Sequence, residues 1–413
     1  MKLIKASYFF EKIQDVKVKD LLSVFPMTAA LLLKPFYRKK YHNVWLVCED
    51  PMEARDNGYH FFRYMRMNQP QQECVYAIKR KSVDFQKVND LGDTIEYGGV
   101  KHWLAYFLCR YNISSQKGGK PNAAVCSFME LSGVFKPHNV FLQHGVTINQ
   151  AEWLFVDRSR FETFITATVP ETEFIEKHFG YPDGTIQLTG FPRFDALHDY
   201  SVNNRQILIM PTWRAWFNLK SKMHEDTDSD FLTSEYLKKW LELLNCDELR
   251  QLAQDYQLRF IFYPHRNMQR YIAAFENVPE YVALASWEEY DIQDLLKTSA
   301  MMITDYSSVF FDMVYMKKPI VFYQFDEEKF RKYQYAEGYF DYHNNPFGRS
   351  FRNKESVLAE LERFIKQEFK VSDEYLQAHK EYFKLYDRDN CRRVYEIVKK
   401  YDGKNTEHYY PCI

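Results

Sequence analysis

Short, uninterrupted apolar runs recur along the chain and alternate with segments of helical periodicity. Strands in a parallel sheet have helices on both faces, so they read as continuous runs of Val, Ile, Leu and aromatic residues. A first series contains NVWLVCE from Asn43, CVYAI from Cys74, AAVCSF from Ala123, NVFLQH from Asn139 and ETFITAT from Glu162. A second series contains QILIM from Gln206, RFIFYPH from Arg259, AMMITD from Ala300 and PIVFYQFD from Pro319. The alternation predicts an α/β protein with two doubly wound parallel sheets.

The length of the chain also favours two domains. Its 413 residues exceed what one ordinary hydrophobic core holds, and Gly and Pro cluster between the two series, in residues 180–197. We therefore predict four parts, which are an N-terminal helical segment at 1–42, a first sheet domain at 43–190, a second at 191–385, and a C-terminal helix and tail at 386–413.

Composition and absent motifs exclude several classes of protein. The chain has 55 Lys and Arg against 56 Asp and Glu, so no global charge favours a nucleic-acid partner. The seven cysteines show no C-x-x-C spacing, which favours reduced thiols in a cytosolic protein without a structural metal. The sequence has no G-x-G-x-x-G after the first strand, no P-loop, no G-x-S-x-G and no H-E-x-x-H. These absences argue against dinucleotide dehydrogenases, P-loop enzymes, α/β-hydrolases and a dedicated catalytic metal.

An apolar segment near the N-terminus ends in a cluster of cations. The apolar part of residues 21–42 ends at Leu33, short of the ~20 residues that cross a bilayer, and the segment lacks the order of a secretory signal. Two interpretations remain open. The segment is either an amphipathic helix in the lipid headgroup layer, with its cations on anionic lipid, or a helix buried against the first domain. The cations are Lys34, Arg38, Lys39 and Lys40.

Polar side chains follow the predicted strands, at the edge where open parallel sheets bind ligands. His144 follows a strand of the first series, whereas Arg214, His265, Arg266 and residues 305–308 follow strands of the second. A lone histidine at a strand end is more often structural than catalytic. Residues 305–308 also suit an ordinary helix start, because Asp and Ser satisfy the free amides of a first turn. The joint placement of basic and hydroxyl groups nevertheless predicts a cleft lined with phosphate ligands.

Six motifs resemble one known family when they are taken in order along the chain. They are EARDNGYHFFRYM from Glu53, QHG from Gln143, TGFPRFD from Thr189, MPTWR from Met210, YPHRN from Tyr263 and TDYSSVFFDMVYMKKPIVFY from Thr304. Their order resembles the CDP-glycerol glycerophosphotransferase family of teichoic-acid synthesis, and the resemblance extends from about residue 43 to residue 330. The last motif is specific, and the others are loose individually.

The resemblance implies a GT-B fold with two Rossmann-like domains that face an interdomain cleft, after an N-terminal amphipathic helical segment. The expected reaction transfers glycerol phosphate from CDP-glycerol to a hydroxyl of a lipid-linked or polymer acceptor and releases CMP, in the synthesis of a teichoic-acid-like or capsular polymer. The N-terminal domain would bind the acceptor and the C-terminal domain the donor. The family also implies peripheral attachment to the cytoplasmic face of the bacterial membrane. No cofactor is required, and Mg²⁺, where the reaction uses it, would be held by the substrate diphosphate.

The resemblance and the residue chemistry together assign candidate site residues. His144 is the candidate base for the attacking alcohol, and His265 is the second catalytic candidate. Ser307 and Ser308 are expected to bind phosphate and also to cap a helix. The donor-binding candidates are Thr212, Arg214, Arg266, Thr304, Asp305, Tyr306, Ser307, Ser308 and Asp312. The acceptor-binding candidates are Glu49, Arg55, Asp56, Asn57, Gly145 and Arg193.

Several alternatives remain open at this stage. Asp312 either accepts hydrogen bonds from a ribose or is a capped or salt-bridged helix residue. Asp56 and Asn57 either face the acceptor or cap a helix that starts near Tyr59. The teichoic-acid branch usually has a lysine where this chain has Asn149, so the acceptor or the transferred polyol can differ. The competing functions are CDP-ribitol ribitolphosphotransfer, glycosyl transfer from a nucleotide sugar on the same fold, and nucleotide binding without turnover.

Overall fold

The computed structural model describes residues 18–217 and 227–400. These residues divide into two compact units. The first comprises residues 18–146, 152–196 and 387–400, and the second comprises 147–151 and 197–386. The division differs from a simple linear one, because the short segment 147–151 groups with the second unit and the C-terminal helix groups with the first.

A parallel sheet forms the centre of the first unit. Within the described residues its strand order is β3-β2-β1-β4-β5-β6-β7. The order reverses between β1 and β4, where Val47 of β1 pairs with Tyr76 on one side and with Ile113 on the other. The strands are β1 Trp45–Cys48, β2 Cys74–Ile78, β3 Thr94–Glu96, β4 Tyr111–Ser114, β5 Asn139–Phe141, β6 Thr163–Thr166 and β7 Ile186–Leu188.

Helices connect and cover the strands of the first unit. One prediction here is wrong, because the run AAVCSF from Ala123 lies in a helix and not in a strand. The Asn122 side chain accepts the Val125 N–H at 3.0 Å, which is the capping bond that starts a helix. The α-helices are Val18–Leu21, Val24–Tyr41, Asn57–Asn68, Phe85–Asn89, Val100–Leu108, Ala123–Leu131, Val169–His178 and Asn390–Lys400, and the 3-10 helices are Glu152–Leu154 and Pro192–Ala196.

The N-terminal helix Val24–Tyr41 is apolar on two faces. Ala30 and Tyr41 are buried in a core that includes residues of the helix Val100–Leu108. Phe25, Leu32 and Phe36, by contrast, are 75%, 72% and 82% exposed. The helix therefore packs against the first unit, while the predicted separation into one apolar and one polar face is not confirmed. Within the described ranges, no helix has both the length and the hydropathy that a membrane crossing requires.

The second unit repeats the architecture. Its described strands form a parallel sheet with the order β10-β9-β8-β11-β12-β13, which is the Rossmann order and reverses between β8 and β11. Trp240, fully buried, packs with Phe262 and Tyr323 on this sheet. The strands are β8 Asn203–Met210, β9 Arg259–Phe262, β10 Val282–Leu284, β11 Ser299–Thr304, β12 Ile320–Tyr323 and β13 Gly348–Phe351.

The helices of the second unit follow the same alternation with strands. The α-helices are Thr227–Leu232, Glu235–Leu244, Asp247–Tyr256, Ile292–Thr298, Phe310–Tyr315, Glu327–Tyr333, Lys354–Lys366 and Asp373–Tyr382, and the 3-10 helix is Arg266–Phe275. The prediction of two Rossmann-like parallel sheets is therefore confirmed.

Candidate functional site

The loop that follows β5 turns sharply before it presents a histidine. Gln143 has a φ of 58°, a left-handed conformation that residues other than glycine rarely adopt. Its carboxamide donates to the Ile165 carbonyl at 2.7 Å and to Glu171 Oε1 at 3.0 Å. These buried bonds hold the turn, so the chain leaves the strand with His144 exposed and Gly145 buried.

Asn57 fastens this loop to the start of the helix Asn57–Asn68. Its Nδ2 donates to the Leu142 carbonyl at 3.2 Å and to the Gln143 carbonyl at 2.6 Å. Its Oδ1 accepts the backbone N–H of Arg193 at 3.1 Å. Asn57 is fully buried, so one neutral carboxamide positions the backbone before His144 and the backbone at Arg193. Its predicted contact with the acceptor stays a prediction.

The environment of His144 keeps its imidazole neutral. The residue as a whole is exposed, and its ring lies 6.5 Å from the Trp153 ring, with an angle of 24° between the planes. Desolvation by the surrounding protein, together with the positive charge of Arg193, lowers the pKa of His144 to about 4. At neutral pH the imidazole therefore has a free lone pair that can accept a proton.

Arg193 pairs with a carboxylate, and its charge acts on His144. Asp56 caps the helix, since its Oδ1 accepts the Asn57 N–H at 2.7 Å. The same oxygen accepts Arg193 Nη1 at 3.0 Å, and the Arg193 side chain is only 6% exposed. The capping alternative for Asp56 is thus observed. The proposed roles of Asp56 and Arg193 toward an acceptor remain predictions.

Glu49 and Arg55 stabilise the start of the helix Asn57–Asn68 as well. The buried Glu49 carboxylate accepts the backbone N–H of Arg55 at 3.1 Å and of Tyr59 at 2.7 Å. Burial raises the pKa of Glu49, and these amide bonds oppose the shift. A Cβ at Gly58 would lie 2.7 Å from Glu49 Cγ, so this close approach requires glycine. Arg55 Nε pairs with Asp84 at 2.8 Å. Acceptor binding by Glu49 or Arg55 stays a prediction.

In the second unit, Arg214 is fully buried between two carboxylates. Its Nε and Nη2 donate to Asp326 at 2.8 and 3.0 Å, and Nη2 also lies 2.8 Å from Asp305 Oδ2. Its Nη1 donates to the Thr212 carbonyl at 2.8 Å. Desolvation opposes the charge, yet the two carboxylates raise the pKa of Arg214 above its ordinary value. Direct phosphate binding by Arg214 would require these ion pairs to rearrange, so its donor role stays a prediction.

Hydrogen bonds join the ends of β8 and β11, where the strand order of the second sheet reverses. Thr304 Oγ1 donates to the Met210 carbonyl at 2.7 Å. Asp305 Oδ1 accepts the N–H of Thr212 at 2.8 Å and of Tyr306 at 2.6 Å. The buried Thr212 hydroxyl has no hydrogen-bond partner within the described residues. This hydroxyl lies at the switch point, where sheets of this kind bind ligands, so it can form a hydrogen bond to a ligand there.

The serines after β11 precede a short helix. The helix starts at Phe310, and its N-cap Val309 makes no side-chain capping bond. Ser307 Oγ instead accepts the Val309 N–H at 3.4 Å, so the serine stabilises a turn just before the helix. Ser308 is half-buried, and Asp312 is 1% exposed within the helix. A ribose contact from Asp312 would need this region to open.

His265 and Arg266 follow β9. His265 Nδ1 accepts the Asn267 N–H at 3.2 Å. The His265 ring lies 6.3 Å from the Trp213 ring. The Arg266 guanidinium lies over the Trp287 ring at 4.2 Å, in a cation–π contact.

In each unit, several of the predicted site residues therefore lie close together. In the first unit, Asp56, Asn57, His144, Gly145 and Arg193 surround one loop. In the second, Thr212, Arg214, Thr304, Asp305 and Tyr306 surround one strand reversal. Within residues 18–217 and 227–400, no three His, Cys, Asp or Glu side chains are grouped to hold a metal ion.

Sequence reasoning missed three residues that support these groups. Gln143 and Glu171 form the buried anchor of the His144 loop, and Asp326 forms the bidentate pair with Arg214. Two signals were available, since Gln143 is part of the QHG motif and Asp326 ends the run PIVFYQFD after β12. No local pattern marks Glu171.

Comparisons with known proteins identify one family. The model of the CDP-Glycerol:Poly(glycerophosphate) glycerophosphotransferase family matches residues 28–400. The minor teichoic acid biosynthesis protein GgaB of Bacillus subtilis is 30% identical over 375 residues, which is 88% of this chain and 40% of that protein. A teichoic acid poly(glycerol phosphate) polymerase of Bacillus spizizenii is 26% identical over 271 residues, which is 61% of this chain and 63% of that protein. The chain thus spans less than two thirds of the length of either relative.

Solved structures support the fold. The wall teichoic acid polymerase TagF superposes with a TM-score of 0.63 at 16% identity, covering 95% of this chain and 100% of that one. A UDP-N-acetylglucosamine 2-epimerase from Listeria monocytogenes superposes with a TM-score of 0.53 at 13% identity, covering 90% of this chain and 100% of that one.

The hydrogen bonds of Asn57 generate a stability prediction. Replacing Asn57 with Ala leaves two buried carbonyls and one N–H without a partner, so we expect the free energy of unfolding to fall by roughly 2–4 kcal/mol. Urea denaturation measures this loss. The control Asn68→Ala changes the exposed last residue of the same helix and should stay within about 0.5 kcal/mol of the original protein. Equal losses in the two variants would contradict the assignment.

Proposed function

The chain belongs to the CDP-glycerol:poly(glycerophosphate) glycerophosphotransferase family, and from this premise we propose that it transfers glycerol phosphate from CDP-glycerol to a hydroxyl acceptor and releases CMP. The acceptor is a polyol-phosphate polymer or a lipid-linked glycan, in teichoic-acid-like or capsular polymer synthesis. One observation carries the proposal. The family match spans both units, and the strand-end histidine of the first unit is neutral and open to solvent. Relatives named for teichoic acid synthesis, and a TagF structure that includes CDPG, support it.

The proposed step is a displacement at phosphorus. The acceptor oxygen forms a bond to the β-phosphorus of CDP-glycerol, and the bond from that phosphorus to the bridging oxygen breaks, leaving CMP. The hydroxyl proton passes to the free lone pair of His144, which acts as the general base. Gln143 and Asn57 contribute indirectly, because their hydrogen bonds fix the backbone that precedes His144 and so position its imidazole.

The second unit is proposed to bind the donor. His265, which follows β9, is proposed to contact a phosphate of the donor, and the Thr212 hydroxyl, which has no partner among the described residues, lies at the switch point of the sheet. Arg214 supports this region through its ion pairs with Asp305 and Asp326. We propose that magnesium, where the reaction uses it, enters on the diphosphate of the donor.

CDP-ribitol is the second candidate donor. A teichoic acid poly(ribitol-phosphate) polymerase of Bacillus spizizenii is 25% identical over 222 residues, 47% of this chain and 32% of that protein, so relatives with both polyols in their names match the chain. Separate incubations with CDP-glycerol and CDP-ribitol distinguish the two donors. Release of a nucleoside diphosphate from a nucleotide sugar would instead indicate glycosyl transfer.

The proposed base generates the first functional prediction. His144→Ala should lower kcat by about 10²- to 10⁴-fold, the usual effect of losing a general base, while CDP-glycerol binding is largely retained. The measurements are CMP release with a glycerol-phosphate acceptor and calorimetric binding of the donor. His178→Ala, at the exposed end of another helix in the first unit, is the control and should turn over normally. Normal turnover by His144→Ala would refute the assignment.

The pKa of His144 generates a pH prediction. The base acts only when it is neutral, and its pKa is about 4 in place of 6.5, so kcat/KM should stay constant as the pH falls from 7.5 to 5.5. The negative diphosphate of the bound donor favours the imidazolium and raises the pKa. The acid limb of kcat should therefore lie at higher pH than the acid limb of kcat/KM. An acid limb of kcat/KM near 6.5 that disappears in a His144 variant would contradict the first statement.

We also propose that the helix Val24–Tyr41 attaches the protein to the cytoplasmic face of the cell membrane. Phe25, Leu32 and Phe36 are spaced by seven and four residues, so they form one exposed apolar stripe. The last turn of the helix carries the cations Arg38, Lys39 and Lys40, which suit anionic headgroups. The opposite side of the helix packs on the first unit, which leaves the stripe as the surface for lipid.

Membrane attachment predicts a loss of lipid binding when the stripe is made polar. Phe36→Glu should weaken co-sedimentation with vesicles of anionic phospholipid by about tenfold or more, because burial of one aromatic side chain contributes about 1.5–3 kcal/mol. Val134→Glu is the matched control, since Val134 is 78% exposed in the first unit but lies outside the helix. Equal binding by the two variants would argue against the stripe as the lipid contact.

A further inference from the structure

Arg331, on the helix Glu327–Tyr333 of the second unit, is anchored by a neutral side chain. Its Nη1 donates to Asn149 Oδ1 at 2.7 Å. Among the described residues, Asn149 is the hydrogen-bond partner of the Arg331 side chain. No carboxylate among them forms an ion pair with Arg331. Arg214 in the same unit has two carboxylate partners. Arg331 is thus a half-buried cation without a protein counterion in the described part of the chain.

The segment that carries Asn149 is held firmly against the same part of the unit. The Gln150 N–H donates to the Ala336 carbonyl at 3.3 Å, in an isolated antiparallel bridge. A Cβ at Gly338 would lie 2.0 Å from the Ile148 carbonyl oxygen, so the two backbones approach as closely as glycine allows. Asn149 is 9% exposed. These contacts fix the Asn149 carboxamide and therefore fix the guanidinium that it holds.

Donors without partners in the described residues occur on Arg331 itself and on two neighbouring aromatic side chains. Arg331 Nε is buried and has no hydrogen-bond partner within the described residues, and the same holds for the hydroxyls of Tyr342 and Tyr306. The Arg331 Cζ is 5.7 Å from the Tyr342 ring, which is 5.8 Å from the Tyr306 ring. Burial raises the pKa of both phenols, so both stay protonated donors. A buried donor without an acceptor is costly, so the group points to a missing acceptor.

The chemistry of the group selects an anion. A guanidinium supplies planar, charged N–H donors that match phosphate oxygens, and the phenols add neutral donors. The neighbouring carboxylate of Asp305 is already paired with Arg214, so it does not supply the missing charge. We propose that Arg331, anchored on Asn149 and flanked by Tyr342, binds a phosphoryl group. The identity of that group as donor diphosphate or acceptor phosphodiester rests on the proposed function, whereas the anion site does not.

Calorimetric titration of the full chain tests the proposal with three probes. They are inorganic pyrophosphate, CDP-glycerol and a short glycerol-phosphate oligomer. Arg331→Gln should weaken binding of at least one probe by about ten- to a hundredfold, the usual effect of losing a charge-assisted hydrogen bond in a protected site. Arg331→Lys keeps the charge but loses the planar fork, so its affinity should fall between those of Arg331→Gln and the original protein.

Two further variants separate the site from general charge and from misfolding. Lys332→Gln removes the same charge from the next residue, which is exposed on the same helix, and should leave affinity unchanged. Asn149→Asp replaces the carboxamide that contacts Arg331 with a carboxylate, which supplies a counterion. This variant should bind anions more weakly and should unfold at the same temperature as the original protein. A variant with an unchanged unfolding temperature reports on binding alone.

The outcomes distinguish the source of the phosphate and the fate of each proposal. Arg331 dependence with pyrophosphate and CDP-glycerol supports a donor site, and dependence with the oligomer alone supports an acceptor site. Arg331-dependent pyrophosphate binding without CMP release would retain the anion site and reject the proposed function. Equal affinity of Arg331→Gln and the original protein for all three probes would overturn the inference, as would no binding of any probe at millimolar concentration.

Discussion

A buried guanidinium between two carboxylates organises the edge of the second sheet at which the strand order reverses. Arg214 connects Asp305, at the end of β11, with Asp326, which follows β12, and also holds the Thr212 carbonyl after β8. Aromatic rings enclose it, with Tyr236 at 5.0 Å and Tyr306 at 5.1 Å from its central carbon. Losing one partner of such a buried pair costs about 3–5 kcal/mol, although the intact pair adds little net stability. Its main consequence is geometric, because three adjacent strand ends keep one arrangement.

In the first unit, two carboxamide side chains hold the strand-end loop. Asn57 joins the loop before His144 to the backbone at Arg193, and Gln143 holds its own left-handed turn through Ile165 and Glu171. Charged side chains in place of these carboxamides would add a further electrostatic effect on the pKa of the His144 imidazole. With carboxamides as the main support, desolvation and the nearby charge of Arg193 lower the pKa of His144. The difference between the two units therefore agrees with the base proposed for the first unit and the donor site proposed for the second.

Apolar runs were sufficient to predict most of the central strands and insufficient where a strand contains polar residues. β4 lies between β1 and β5, yet Asn112 and Ser114 interrupt its apolar pattern. Asn112 is satisfied across the sheet by the Asn139 side chain at 3.0 Å, a contact that no local pattern reveals. The apolar pattern does not reveal β7, because this strand lies in the Gly- and Pro-rich stretch that indicates a domain break. The edge strands β3, β10 and β13 are short, and short segments have weak periodicity.

The ion pairs of the candidate site are also not predictable from the sequence. A strand end followed by a basic residue indicates a ligand site, but the sequence does not show which basic residues are already neutralised. Arg214 finds Asp326 more than a hundred positions away, and Arg331 finds a neutral carboxamide at Asn149. The first arginine is thereby neutralised within the fold, whereas the second has no carboxylate partner among the described residues. Since a phosphate needs an uncompensated cation, the pairing of each arginine, more than its position at a strand end, decides which one is equipped to bind it.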